Sequence, residues 1–306
     1  MHGILNIAKP QGITSFNVVS IVRRLSGERR VGHAGTLDPA ATGVLPVCLG
    51  QGTRVVEFLV DASKAYRAEI ELGIATDTYD ADGKIIQTGD YSGISREQIE
   101  SALTAYRGLI EQTPPMYSAI KHQGKPLYKL ARAGIEVERK SRLIEIYNLE
   151  LIDWESPILT LEVVCSKGTY IRSLAHDLGQ TLGCGANLKN LVRLRCGYFD
   201  IKDSVSLPQL EDAFQYGYWQ NFVYPIDTVL SHWSAMVVND ATEQSIRNGC
   251  PLPLKGSTYL ERYPLIPEAK EKCCRVYSLD GCFLGVLRLN SEKEQWQPEK
   301  IFSLLA

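Results

Sequence analysis

The sequence predicts an α/β protein of the α+β type that ends in a small all-β segment, and three observations carry this. Runs that read as strands, at Gly3–Ile7, Val44–Leu49 and Lys64–Gly73, are separated by helical patterns with capping signals. Ser141–Trp154 and Pro157–Ser166 read as the two arms of a hairpin, which calls for antiparallel pairing. From about Ala235 the pattern changes to short segments broken by Gly249, Pro251, Pro253, Gly256, Gly281 and Gly285, which suits a small β-barrel.

The bulk properties bound the function. With 44% hydrophobic and 22% charged residues over 306 positions, the chain is an ordinary globular protein, long enough for one large domain and one small one. No apolar run approaches membrane-spanning length, and the start, Met1 to Pro10, lacks a basic segment followed by a long apolar one. The expected compartment is the cytoplasm, with no membrane partner. Eight cysteines are scattered, form no Cys-x-x-Cys pair and sit mostly in apolar runs, so reduced thiols are expected and no metal. The net charge of −2 argues against a nucleic-acid partner, but its distribution does not. Residues 121–142 hold seven Lys/Arg against Glu136 and Glu138, and residues 9–30 hold five against Glu28. Either block alone reads equally well as a solvated face.

Taken in order, the strand Gly3–Ile7 leads through Lys9-Pro10-Gln11-Gly12, a turn, to Thr14 or Ser15 as helix cap. Val18, Ile21, Val22 and Leu25 recur at helical spacing, and Gly27 ends the helix. Val31 to Val47 is a tightly shaped loop and strand start in which Gly32, Gly35 and Gly43 allow positive φ, and Pro39 fixes the backbone after Asp38. Thr53 is expected to open a helix through Leu59, and Lys64–Gly73 alternates as a half-buried strand. Thr76–Gly83 is an Asp-rich turn; in an EF-hand register Gly89 falls where the terminal Glu belongs, so calcium is rejected. Ser95 and Gln98 form a capping box for a helix to about Tyr106. Lys121 to Arg132 interleaves aromatic and basic residues, a pattern that suits looped nucleic acid, with a short helix ending near Gly134. After the hairpin, Ile171, Leu174, Leu178 and Leu182 share one helix face, and Leu191–Arg195 is a basic strand or helix-edge segment. Ser206 caps a helix to about Gln215, residues 216–234 read as a linker, and Val276–Tyr277, Phe283 and Leu284–Leu287 as short strands.

The chemistry concentrates in Val31-Gly32-His33-Ala34-Gly35-Thr36-Leu37-Asp38-Pro39. A lone Asp-Pro beside glycine reads most simply as a turn. The length of this stretch changes that, because it resembles, nearly residue for residue, the catalytic motif of the TruB family of tRNA pseudouridine synthases. Four further blocks resemble the same family in the same order: Lys9 to Ser15, Lys64 to Arg67, Gln112 to Lys121, and Lys167 to Arg172. Together they span roughly residues 3 to 200.

The resemblance implies a pseudouridine synthase catalytic domain over residues 1–215. Its sheet is mixed and largely antiparallel, flanked by helices, with an RNA-binding flap inserted at about 114–142. After the linker, residues 235–306 are expected to form a PUA-like RNA-binding barrel, although the match there is loose. The implied reaction isomerises uridine 55 in the T-arm loop of tRNA, by a monomer, with no cofactor. That agrees with a sequence holding no Walker loop, no Gly-x-Gly-x-x-Gly and no metal-ligand cluster. By the same match Asp38 is the nucleophile or base, Arg172 its cation and Tyr66 lies against the uracil. His33 fills the gap left by the everted base, Tyr170 and Leu191 line its pocket, and Lys9, Lys121 and Lys125 meet phosphates. The plainer readings are a core aromatic for Tyr66, a loop-satisfying histidine for His33 and a surface arginine for Arg172. Two alternatives differ in class: a guide-RNA-dependent synthase acting on ribosomal RNA, and a non-catalytic RNA-binding or RNA-folding protein.

Overall fold

Strand β1 (Gly3–Lys9) is almost wholly buried, as an apolar run at the centre of a sheet must be. A computed structural model describes residues 1–253, 259–263 and 273–303 of the chain. Helix α1 (Ser15–Ser26) is capped by Thr14 in a reciprocal box with Asn17 and closed by Gly27 in the left-handed region. Strand β2 (Val31–His33) pairs antiparallel with β3 (Thr42–Leu49), and β3 pairs along its length with β1. The helix expected from Thr53 begins instead as a 3-10 turn over Gly50–Val55 and becomes α2 (Val56–Asp61). Strand β4 (Lys64–Leu72) follows, then the hairpin β5 (Ile74–Thr76) and β6 (Ile85–Thr88) around the Asp-rich turn.

Helix α3 (Arg96–Leu103) uses the Ser95–Gln98 box and leads to β7 (Gly108–Gln112). The segment expected to be a flap holds a small hairpin, β8 (Lys121–His122) with β9 (Lys125–Pro126), followed by α4 (Leu127–Arg132). Strands β10 (Arg142–Glu155) and β11 (Ile158–Cys165) form the expected long antiparallel pair. Helix α5 (Ile171–Thr181) buries Ile171, Leu174 and Leu178 against the sheet, and β12 (Ala186–Cys196) is a strand throughout. A short β13 (Phe199–Asp200), β14 (Val205–Ser206) and α6 (Leu207–Gln215), capped by Ser206, complete this part.

The large sheet runs β14-β1-β3-β12-β4-β11-β10-β7. It is mixed: β14 with β1 and β3 with β12 are parallel, and the remaining neighbours along that path are antiparallel. One apolar cluster lies between α3, α5 and the β4–β12–β11–β10 face, and a second between α1, α6 and the β1–β3 face.

Residues 216–234, read as a linker, are packed. Strand β15 (Val223–Tyr224) pairs with β1, and Ile226, Val229 and Leu230 are buried. The aromatic, irregular sequence hid this because its apolar residues fall in 3-10 turns that show neither helical nor strand period. The C-terminal segment holds β16 (Ala235–Val238), α7 (Asp240–Arg247), β17 (Leu252–Pro253), β18 (Tyr259–Tyr263), β19 (Cys273–Tyr277), β20 (Phe283–Asn290) and β21 (Gln295–Ile301). They form a second sheet in the order β17-β21-β20-β19-β16-β18, of the PUA-like kind expected. Phe283, Val286 and Phe302 pack in one cluster with Ile4, Val44 and Ile226. The turn expected at Gly256 lies outside the described residues. Among these residues no helix is long and apolar enough to cross a membrane, and no group of three His, Cys, Asp or Glu could hold a metal ion.

Candidate active site

The site forms where the loop before β3 meets β12 and β4. Two positions here require glycine, one in that loop and one at the start of β3. Gly35 sits at φ +78° and Gly43 at +101°, and a Cβ on Gly43 would lie 2.3 Å from the Arg193 carbonyl. Gly32, expected to share this role, sits in β2 without a positive φ. Within the loop, Ser15 Oγ accepts from the Leu37 amide (2.9 Å) and donates to the Leu37 carbonyl (3.1 Å), which fixes the chain one residue before Asp38.

Arg172, in the first turn of α5, is almost fully buried and carries the electrostatics. One amino nitrogen, Nη2, lies 3.1 Å from Asp38 Oδ2 and donates to the Tyr117 carbonyl (2.8 Å). The other, Nη1, lies 3.2 Å from Asp80 Oδ2. A buried cation between two carboxylates satisfies the rule that buried charge must be paired. Asp38 opens to solvent on one side, its side chain 45% accessible, and is enclosed by protein elsewhere. Burial raises its pKa above the ordinary carboxylate value, the nearby Asp80 charge adds to this, and Arg172 and Lys9 pull against it.

Asp38, Asp80, Arg172 and Leu191 line one cleft of about 160 Å³ together with Gln11, Ala40, Ala41 and Asn190. A larger cleft of about 560 Å³, lined by His2, Glu28, Arg29, Arg30 and Arg54, lies away from these residues and holds none of them.

Tyr66 stands near the start of β4, in register with Arg193 of β12; it packs against the apolar cluster beneath the sheet and is not among the residues lining the cleft. Burial pushes its hydroxyl up to about 12 despite the Arg193 guanidinium beside it, so the phenol is neutral at physiological pH. Tyr170 caps α5, and its backbone amide and carbonyl are both bound by the Gln112 side chain (2.7 and 3.0 Å). His33, at the end of β2, is partly exposed, and its Nδ1 is buried without a hydrogen-bond partner among the described residues. Burial, with Arg193 adding to it, lowers its pKa and keeps the imidazole neutral. Lys121 and Lys125 are exposed on the flap hairpin, free to meet an anion.

Lys9 is a correction. It was expected at a phosphate, but it is 1% exposed and its ammonium donates to the carbonyls of Pro10 (3.0 Å), Pro39 (3.2 Å) and Ala41 (2.6 Å). Two of those carbonyls, Pro39 and Ala41, come just after Asp38, so Lys9 braces the loop from within. Burial lowers its pKa to about 8.

Two residues escaped the sequence reading. Asp80 reads in the sequence as part of a turn, and the Asp-rich neighbourhood is the one local signal it carries. Arg193 is 1% exposed and binds the Val44 carbonyl through Nε (2.7 Å) and the Gly35 carbonyl through Nη2 (3.0 Å). It read as part of a basic strand because nothing local distinguishes a buried arginine from a surface one.

A profile described as TruB family pseudouridylate synthase (N terminal domain) matches residues 23–171, and one described as tRNA pseudouridylate synthase B C-terminal domain matches 172–231. The chain belongs to the TruB family. It is therefore a pseudouridine synthase. A protein named tRNA pseudouridine synthase B from Dehalococcoides mccartyi is 45% identical over 304 residues, covering 99% of this chain and 97% of the relative. A protein of the same name from Clostridium tetani is 45% identical over 249 residues, covering 81% and 85%. Among solved structures, a chain of an H/ACA RNP bound to a substrate RNA containing 2′-deoxyuridine matches with a TM-score of 0.75 at 25% identity, covering 98% of this chain and 85% of that one. A chain of an archaeal box H/ACA sRNP Nop10–Cbf5 complex shares the TruB fold, with a TM-score of 0.74 at 24% identity over 98% and 86%.

Proposed function

We propose that this TruB-family protein isomerises uridine 55 in the T-arm loop of tRNA to pseudouridine, acting as a cytoplasmic monomer without guide RNA. The observation that carries the reading is the Asp38 carboxylate at the wall of an open cleft, held 3.1 Å from a buried arginine. The names of the relatives at about 45% identity supply the substrate class.

The uracil is cut from C1′, rotated and rejoined through C5. Two routes are open to Asp38: attack on C1′ as a nucleophile, or removal of the C2′ proton to give a glycal. Both need an ionised carboxylate in a poorly hydrated pocket, and Arg172 offsets the cost of that burial. The target base leaves its stack to enter the cleft. His33, a neutral aromatic plane beside the loop, occupies the space it vacates, and Tyr170 and Leu191 flank the uracil. Tyr66 is a protonated phenol, so it takes up the C5 proton, directly or through a water, only as it hands its own hydroxyl proton on to solvent, rather than acting as a preformed base. Lys121 and Lys125 grip the RNA backbone from the flap, and the PUA-like segment over 235–306 binds RNA beyond the target loop.

The test is to incubate the purified protein with an unmodified tRNA transcript and no guide. Pseudouridine at position 55 is expected from the wild type, and none from Asp38→Asn. Product that appears only with a guide RNA would favour the guided alternative. Tight RNA binding without product would favour a non-catalytic RNA-binding protein.

A further inference from the structure

The turn that carries Asp80 holds a feature that the reaction chemistry leaves unexplained. Tyr79 sits at φ 65°, a left-handed conformation that bulky side chains avoid. Such outliers persist where the surroundings over-determine them, and they gather at functional sites. Here the surroundings are visible. The Tyr79 ring lies on the His176 imidazole with centroids 3.9 Å apart and planes 13° from parallel. His176 belongs to α5 and comes one helical turn after Arg172, so both side chains leave the same face of the helix. The turn and the helix are thus joined at three points: Asp80 to Arg172 by charge, the Thr78 carbonyl to Arg172 Nη1 by a hydrogen bond (3.4 Å), and Tyr79 to His176 by stacked rings.

The remaining contacts orient the Asp80 carboxylate inside the turn but do not tie the turn to α5: Thr78 Oγ1 (2.5 Å) and the Asp82 amide (3.3 Å) donate to Asp80 Oδ1. Leu188 of β12 donates to the Tyr79 carbonyl (3.0 Å) and accepts from the Ala81 amide (3.1 Å), which pins the main chain of the turn to the sheet. Neither bond sets how the turn's side chains meet α5. The Nδ1 of His176 has no hydrogen-bond partner among the described residues, so at that edge the imidazole is held by its face. Arg172 presents a rigid planar fork, with one nitrogen on Asp80 and the other on Asp38. A shift of Asp80 therefore turns the fork and moves the group facing Asp38.

We propose that the Tyr79–His176 stack is a positioning device for catalysis, holding Asp80 against Arg172 and through Arg172 orienting Asp38. This rests on the reading of Asp38 as the catalyst.

Tyr79→Gly tests it, because glycine accepts the left-handed backbone without strain and removes only the ring. The expected result, on unmodified tRNA, is a fall in kcat of roughly tenfold or more with KM and melting temperature unchanged. Tyr79→Phe, which keeps the ring, restores turnover. His176→Ala reproduces the loss at a helix position that tolerates alanine, and carries the test should Tyr79→Gly not fold. His176→Phe recovers the lost turnover. In Asp80→Asn protein, Tyr79→Gly causes no further loss. Full kcat in both ring-deleted variants, or an equal loss with and without Asp80, overturns the proposal. A wild-type protein that forms no pseudouridine overturns instead the reading on which it rests.

Discussion

Asp38 illustrates how a single residue is kept reactive at a cost. Its pKa is raised by burial, so the proposed turnover should fall on acidification with a midpoint above the ordinary aspartate value. Arg172 acts in the opposite sense, and removing it as Arg172→Met should push that midpoint further up while lowering the plateau. Single-turnover rates across pH check both, and a midpoint that falls in Arg172→Met would contradict the assignment. The same shift has a stability sign. An aspartate whose folded pKa is raised contributes stability below its unfolded value, and that contribution is lost as pH rises through the folded value. Lys9 is displaced in the other direction, to about 8, so its contribution to stability grows as pH rises from about 8 towards the ordinary lysine range. Wild-type protein should therefore show an alkaline gain in urea midpoint over that window that is missing in Lys9→Met.

At the scale of elements, the parallel junction of β3 and β12 is what places the catalytic loop. Gly43 pairs with Arg193 there, and a methyl group would collide with the β12 backbone. Gly43→Ala should cost more than about 1 kcal/mol and lower the melting temperature, because it adds both a clash and a disfavoured φ. It should also reduce turnover by moving Asp38. An unchanged melting curve would show that the strands can part without penalty.

Elements of this kind were legible where local chemistry decides them. The Thr14, Ser95 and Ser206 caps, the Gly27 stop and the alternation of β4 all follow from side-chain hydrogen bonding, backbone freedom and one-sided burial. What escaped depends on contacts between distant segments. Arg193 is buried only because Gly35 and Val44 arrive with carbonyls to receive it, and Asp80 joins the site only because α5 brings Arg172 beside it. Lys9 misled for the same reason: a lysine before a turn is normally solvated, and here three carbonyls enclose it.

Over the whole molecule, the two sheets are not independent. Phe283, Val286 and Phe302 share a buried cluster with Ile4, Val44, Ile226 and Leu230, and Arg54 donates to the Ile301 carbonyl. A chain ending near residue 234 uncovers that cluster and should unfold at lower urea concentration than the full protein, beyond any loss of RNA affinity. Equal midpoints would mean that the C-terminal sheet is only an appendage. The position of β1 has a further consequence. This first strand lies inside the sheet, flanked by β3, β14 and β15, and Asn6 donates to the Asp200 carbonyl 194 residues further on. On the ribosome β3 can cover one edge of β1 early, but the other edge waits for β14 and β15, so the nascent chain carries an unpaired apolar strand edge meanwhile. That second edge closes only through contacts far apart in sequence, the kind that slows folding.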